Sequence, residues 1–167
     1  MSASAEQNDY VHLTVDELDK KYGKVNYCTV SCADWEREYY NLKDFDRWSN
    51  ARDFDADIIV VRFGENIYNS LDNEKGNLAD YLDKFIKYFD RSGKAKIVVT
   101  GLFWRGDTIE KSFYDVAQKN GYPFIRLHDI GKQDENKAIG QFWHEGVSIH
   151  PNDRGMKLIS QRIMQRL

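Results

Sequence analysis

The sequence predicts an α/β protein, a three-layer α/β/α sandwich with a mostly parallel sheet. Three observations lead to this prediction. Patterns typical of helices and of strands alternate along the whole chain, which is the order found in βαβ units. Two short, continuous apolar runs, at residues 57–62 and 96–100, suit strands that are buried on both faces of a parallel sheet. The 167 residues suffice for one domain with a substantial core, so we expect a single domain over residues 1–167.

Four segments have the apolar spacing of amphipathic helices, and they cover residues 9–22, 77–90, 107–119 and 153–167. The first is followed by Gly23, a residue that commonly ends helices. An aromatic and charged stretch, residues 34–50, is predicted to be helical with a break.

Two further strands are predicted at residues 24–30 and 123–127. The crossovers between parallel strands should be right-handed. Ligands in sheets of this kind bind beyond the carboxyl ends of the strands. The candidate functional residues are therefore those that follow a strand or that precede the last helix.

Composition argues against several classes of partner. The net charge of −3, with charged residues of both signs, argues against nucleic-acid binding, which uses a basic surface. No apolar run approaches the roughly 20 residues of a membrane span. The first residues lack the cationic start and apolar core of a signal peptide, and the compartment of a longer parent protein stays open. Cys28 and Cys32 are expected to be small buried side chains rather than a disulfide or a metal pair.

The motifs of common cofactor sites are also missing. The sequence contains neither a glycine-rich phosphate loop nor a dinucleotide fingerprint. No His and Glu residues have the spacing of a zinc site. We therefore expect neither a cofactor nor a metal.

Chemically active side chains follow the predicted strands and precede the last helix. Asn66 offers an amide N–H that could stabilise an oxyanion, and Gly64 permits the tight turn that would aim it. The alternative is an ordinary turn formed by Gly and Asn. His150 could act as a general base, because imidazole accepts protons near neutral pH. Its alternative is a hydrogen-bonded loop histidine.

Other residues at these positions are candidates for substrate contacts or for support. Phe103 and Trp104 could form the floor of a substrate cleft or could pack in the core, and His144 is a further candidate contact. Asp153 stands at the start of the last predicted helix, where an acidic residue commonly caps the helix or interacts with its dipole.

Two of these motifs together resemble the SGNH, or GDSL-type, hydrolase family. Residues 64–66 (Gly-Glu-Asn) follow a buried strand, and residues 150–153 (His-Pro-Asn-Asp) precede the last helix. Their order and spacing are similar to those of the family, which has a Ser block, a Gly block, a Gly-x-Asn block and an Asp-x-x-His block. The resemblance covers most of the chain. It implies a flavodoxin-like α/β/α fold and hydrolysis of esters such as acetylated sugars and lipids.

By position, the resemblance implies that Asn66 is an oxyanion-hole donor and that His150 is the catalytic base. The Gly block would fall at residues 31–33, Ser-Cys-Ala, which contain no glycine. A backbone N–H of this turn, assigned to Ala33, could still take the role.

The acid that should precede the histidine by three residues is replaced by Val147, which cannot orient an imidazole. A backbone carbonyl, Glu145 or Asp153 could take its place.

The serine block is the largest departure from the family. It should end a first strand upstream of the first helix, whereas this sequence starts at that helix. Ser2 and Ser4 follow no strand and lack the Gly-Asp-Ser context, so neither is expected to be the nucleophile. We therefore expect an N-terminally incomplete domain without its first strand, whose unpaired strand edges would favour self-association.

Two functions remain as hypotheses. The first is an ester hydrolase that removes O-acetyl or similar acyl groups from a carbohydrate by serine–histidine catalysis, with this chain alone inactive. The second is a non-catalytic SGNH-like module that binds a glycan or a protein partner. A flavodoxin-like receiver or nucleotide binder would need acidic or glycine-rich loops that the sequence lacks.

Overall fold

The structure is a computed structural model that describes residues 2–68 and 77–167. The chain divides into two compact units. One unit combines the two ends of the chain, Met1–Tyr27 and Leu127–Leu167, and the other is the continuous segment Cys28–Arg126.

The Cys28–Arg126 unit contains a three-stranded parallel sheet. Its strands are β1 (Ile58–Val61), β2 (Lys96–Thr100) and β3 (Phe124–Ile125), in the order β1-β2-β3. The register pairs Ile58 with Lys96, and Val99 with Phe124. The predicted α/β class and the parallel direction of the strands are confirmed. Within the described residues, the side of β1 away from β2 has no strand partner.

Among the described residues of this unit, two helices precede β1 in the sequence, one lies between β1 and β2, and one lies between β2 and β3. They are α2 (Ala33–Glu38), α3 (Ser49–Asp53), α4 (Leu78–Phe89) and α5 (Asp107–Asn120). The break predicted within residues 34–50 is present between α2 and a short 3-10 turn at Asp46–Trp48. The side-chain oxygen of Asn77 accepts a hydrogen bond from the backbone N–H of Ala79 and so caps the start of α4. Helix α5 is followed by Gly121, which has φ +72°.

Aromatic side chains form much of the core of this unit. The rings of Trp35 and Phe85 stack with centroids 5.0 Å apart, and Phe63 meets Phe113 edge to face at 5.4 Å. Such pairs add specific geometry to the burial of large apolar surfaces. The core therefore fixes α2 and the chain that follows β1 in the same unit.

The strand predicted at residues 24–30 is wrong. These residues are described, pair with no strand and are mostly exposed. Their β-branched and aromatic side chains favour an extended chain, but a strand also requires a neighbour for its backbone N–H and C=O groups. Cys28 lies here and is exposed, which corrects the expectation that it is buried, whereas Cys32 is partly buried.

The unit formed by the two chain ends is helical. It contains α1 (Tyr10–Tyr22), α6 (His128–Gly131), α7 (Glu145–Ser148) and α8 (Asp153–Met164). Helix α1 ends at Gly23 with φ +83°, as its sequence predicts. The Thr14 hydroxyl of α1 donates to the Ser160 hydroxyl of α8 at 3.0 Å, which joins the two longest helices of the unit.

The last helix begins at Asp153, as the sequence predicts, but its cap is the preceding residue. Its cap is Asn152, whose side-chain oxygen accepts the N–H of Gly155 at 3.0 Å, so Asp153 is the first residue of the helix rather than its cap. In the described part of the chain, no helix combines the length and apolarity that crossing a bilayer requires.

Candidate functional site

The turn that follows β1 is held by a buried carboxylate. Glu36 of α2 is only 4% exposed. Its Oε1 atom accepts the Gly64 N–H at 2.5 Å, and its Oε2 atom accepts a hydrogen from Nδ2 of Asn66 at 2.7 Å. Asn66 therefore stands at the carboxyl end of the strand with its amide orientation fixed by a partner 30 residues earlier in the chain.

Gly64 is required at this turn for two reasons. Its φ of +115° is a backbone conformation that residues with a Cβ rarely adopt. A Cβ placed there would lie 3.0 Å from Leu102 Cδ2 and 3.0 Å from Phe113 Cζ. The glycine therefore lets the turn pass close to the core while it presents Asn66.

A second carboxylate connects the loops after β1 and β2. Glu65 accepts the N–H of Phe103 at 2.8 Å and pairs with Arg62 at 3.0 Å. Phe103 is fully buried, which favours packing over substrate contact. Trp104 is half-buried and meets the Phe103 ring edge to face, with centroids 6.0 Å apart.

The turn that the resemblance matches to the Gly block precedes and begins α2. Ala33 is the first residue of that helix, and the Ser31 carbonyl accepts the indole N–H of Trp48 at 3.0 Å. Burial, and after it the charge of Glu36, raises the pKa of Cys32 to about 12. Since the thiolate is the nucleophilic form, Cys32 is unsuited to attack an ester near neutral pH.

His150 belongs to the unit formed by the two chain ends. Its Nδ1 atom lies 2.7 Å from the carbonyl oxygen of Gly146, four residues earlier and in α7. A carbonyl can only accept, so Nδ1 carries the hydrogen and Nε2 is the basic nitrogen of the neutral ring. The Gly146 carbonyl therefore orients the imidazole of His150, which the side chain of Val147 cannot do.

The two acidic alternatives for orienting His150 have other positions. Asp153 binds Ser4, through the backbone N–H at 2.8 Å and the hydroxyl at 2.6 Å. Glu145 is exposed at the start of α7, and its carbonyl accepts the Ser148 hydroxyl at 2.7 Å. The third group suggested by the sequence, a backbone carbonyl, is hydrogen-bonded to the ring through Gly146.

Comparison with known proteins finds no matching family model, no matching curated protein and no matching solved structure.

A cavity of about 310 Å³ borders His150. The residues that line it are Ser2, Asp9, Tyr10, Val147, His150 and Met156. Its surface is mainly apolar, and the Ser2 hydroxyl donates to the carbonyl of Pro151 at 2.7 Å instead of to the imidazole. The cavity therefore offers a small apolar space beside a potential proton acceptor.

The loop before α7 exposes aromatic surface. Trp143 is 90% exposed, and its ring lies 6.4 Å from that of the exposed His144. The loop is shaped by a turn in which the Gln141 N–H donates to the Ala138 carbonyl at 3.0 Å. Trp143 lies three residues before Gly146, whose carbonyl binds the His150 ring, and its exposed side chain is available for contact with a ligand.

Sequence reasoning identified some of these residues and missed others. Gly64 and Asn66 lie together as expected, and His150 lies beside Val147. Asn66 and His150 belong to different units. Glu36 was missed because nothing in an aromatic helix indicates that one carboxylate is buried against a turn 28 residues away.

In residues 2–68 and 77–167, no three His, Cys, Asp or Glu side chains are clustered so that they could hold a metal ion.

Proposed function

We propose that this chain supplies the histidine base and the asparagine oxyanion donor of an SGNH-type ester hydrolase with a flavodoxin-like α/β/α fold. The observation that carries the proposal is the hydrogen bond between Nδ1 of His150 and the carbonyl of Gly146, at 2.7 Å. It selects the tautomer whose Nε2 can accept a proton, which is the state that a general base needs.

In the proposed reaction, a serine oxygen attacks the acyl carbon of the ester while Nε2 of His150 takes the serine proton. The negative charge on the carbonyl oxygen is stabilised by an N–H of Asn66 and by backbone N–H groups. The protonated His150 then gives its proton to the departing alcohol, which leaves an acyl-serine. Water hydrolyses this ester by the same steps and regenerates the serine.

The serine of this mechanism is not assigned to Ser2 or Ser4. The Ser2 hydroxyl is bound to the Pro151 carbonyl, and the Ser4 hydroxyl is bound to Asp153. We propose that the nucleophile is a serine at the end of a further strand, as the resemblance to the family implies. Such a strand would pair with the side of β1 that has no strand partner among the described residues.

Short acyl groups on a carbohydrate are the proposed substrates. The cavity beside His150 is small and is lined by the apolar side chains of Tyr10, Val147 and Met156. Trp143 adds an exposed ring, and aromatic rings commonly contact the apolar face of a ligand that is otherwise polar.

The test uses hydrolysis of p-nitrophenyl acetate. This chain alone should be inactive, and the chain extended by the residues encoded upstream of Met1 should be active. In the extended chain, His150→Ala should reduce kcat by about 10²–10⁴-fold, the usual contribution of a general base. His128→Ala is the matched control because it removes another histidine of the same unit that does not line the cavity.

Two results would overturn the proposal. One is an extended chain that hydrolyses no acyl ester. The other is substantial activity that survives His150→Ala.

The second candidate function is a non-catalytic module that binds a glycan. The exposure of Trp143 favours it, because a ring that is 90% exposed contributes little to the core. Binding of an unacetylated oligosaccharide by an extended chain without esterase activity, lost in Trp143→Ala, would support this function over the first.

A further inference from the structure

The geometry points to Glu36 as the positioning residue that holds the Asn66 amide in place as a hydrogen-bond donor. This inference rests on the role proposed for Asn66. Glu36 itself is not expected to touch the substrate, since its side chain is buried beneath the turn whose N–H groups it accepts.

One carboxylate fixes both the backbone and the side chain of the turn. Oε1 accepts the Gly64 N–H at 2.5 Å and lies 3.4 Å from the Asn66 backbone nitrogen, whereas Oε2 accepts a side-chain hydrogen of Asn66 at 2.7 Å. Because Nδ2 carries two hydrogens in the amide plane, fixing one of them sets the direction of the other.

Asn66 needs such a partner to act as an oriented donor. The last torsion of an asparagine side chain is broad, so an exposed amide samples many orientations unless it is bound. Asn66 is itself exposed, in contrast to the buried Glu36. An oxyanion donor is effective when it is already oriented before charge develops, and the Glu36 contact provides that orientation.

The environment of Glu36 indicates that orientation, rather than charge neutralisation, is its role. Within the described residues, no basic side chain forms an ion pair with it. Burying a carboxylate is unfavourable unless hydrogen bonds compensate, and here the compensating donors all come from the turn. Its negative charge would oppose an oxyanion, so any benefit to catalysis must arise through the geometry of Asn66.

The first test is NMR of the Asn66 side-chain amide in the 167-residue chain. One Nδ2 hydrogen should exchange with solvent at least about tenfold more slowly than a free amide. Glu36→Gln should reduce this protection, because one of the two acceptor oxygens is replaced by an NH₂ group that cannot accept a hydrogen bond. Glu38→Gln, an exposed glutamate of the same helix, should leave it unchanged. An unprotected Asn66 amide in the wild-type chain would overturn the inference, and this measurement requires no variant to fold.

The second test is a double-mutant cycle for p-nitrophenyl acetate hydrolysis in the extended chain. Glu36→Gln should lower kcat by about tenfold with KM within about twofold, and it should have no further effect in an Asn66→Ala background. Equal losses in both backgrounds would identify a purely structural residue and overturn the inference. An inactive wild type would instead overturn the proposed function, and the amide measurement would still decide the role of Glu36.

Discussion

The carboxylate of Asp153 accepts both the backbone N–H and the hydroxyl group of Ser4, at 2.8 and 2.6 Å. Asn8 also donates to it, at 3.0 Å. This single group therefore ties the start of the chain to the first residue of α8. We therefore assign Asp153 a structural role in holding the start of the chain, and its bond engages the Ser4 hydroxyl.

Asp153→Asn should therefore affect stability and not ester hydrolysis. The Ser4 and Asn8 hydrogen bonds hold the pKa of Asp153 below its usual range. Loss of the charge should reduce the free energy of unfolding by about 1 kcal/mol, and proteolysis within residues 2–9 should become faster. Chemical denaturation and limited proteolysis measure these effects. Glu145→Gln should change neither, and a loss of kcat in Asp153→Asn as large as that in His150→Ala would restore Asp153 as the orienting acid.

Gly64→Ala should be strongly destabilising. At φ +115° the alanine would be strained, and its Cβ would lie 3.0 Å from Leu102 and Phe113. Strain and overpacking together should lower the free energy of unfolding by about 3 kcal/mol.

Gly93→Ala is the matched control for this substitution. Gly93 has φ +69° and no atom within 4 Å of a built Cβ, so only about 1 kcal/mol of backbone strain is expected. Urea denaturation of the two variants separates the two contributions. Equal losses would show that the close approach of the turn to the core is unimportant.

Asp83 should make the Cys28–Arg126 unit sensitive to acid. It lies on α4, is 7% exposed and binds Lys119 and Asn120 of α5, each at 2.9 Å. Burial alone would raise the pKa of Asp83, but the hydrogen bonds from Lys119, Lys87 and Asn120 outweigh it and hold the pKa below its ordinary value. The stabilisation is therefore present above the unfolded pKa of about 4, and it is lost as the pH falls through the lower folded pKa.

Asp83→Asn should lower the free energy of unfolding at pH 7 by about 2 kcal/mol and should weaken the decrease in stability below about pH 4. Denaturation at a series of pH values measures both effects. Asp115→Asn removes an exposed carboxylate that pairs with Lys111 on α5 and should cost less than about 0.5 kcal/mol. If the dependence of stability on pH below about pH 4 were unchanged in Asp83→Asn, Asp83 would not be a source of the acid sensitivity.

The two cysteines should react at different rates with a thiol reagent. Cys28 is exposed, although partial burial raises its pKa, whereas burial and the Glu36 charge raise the pKa of Cys32 to about 12. At pH 8, iodoacetamide should modify Cys28 at least about tenfold faster, because far less of Cys32 is thiolate. Mass spectrometry locates the label. Cys32→Ser should keep the fast reaction and Cys28→Ser should lose it; a fast reaction in Cys28→Ser would show that Cys32 is more acidic than its surroundings imply.

The helices illustrate what can be predicted from sequence. The helix predicted at residues 107–119 is observed at Asp107–Asn120, because apolar spacing and a following glycine act within the segment itself. The backbone carbonyl beside His150 is equally local, since Gly146 is only four residues away. By contrast, residues 24–30 have strand-forming side chains and form no strand, because pairing depends on another part of the chain.

The sequence by itself determined the alternation of helices with parallel strands, the glycine needed at position 64 and the histidine that precedes the last helix. These depend on local periodicity, on backbone freedom and on side-chain chemistry, all of which are properties of single residues or short segments. Only the tertiary structure decided that Glu36 holds Asn66 and that Asp153 holds Ser4. Each of these contacts joins residues separated by 30 or 149 positions, and packing, rather than local preference, determines which distant polar groups meet when they leave water.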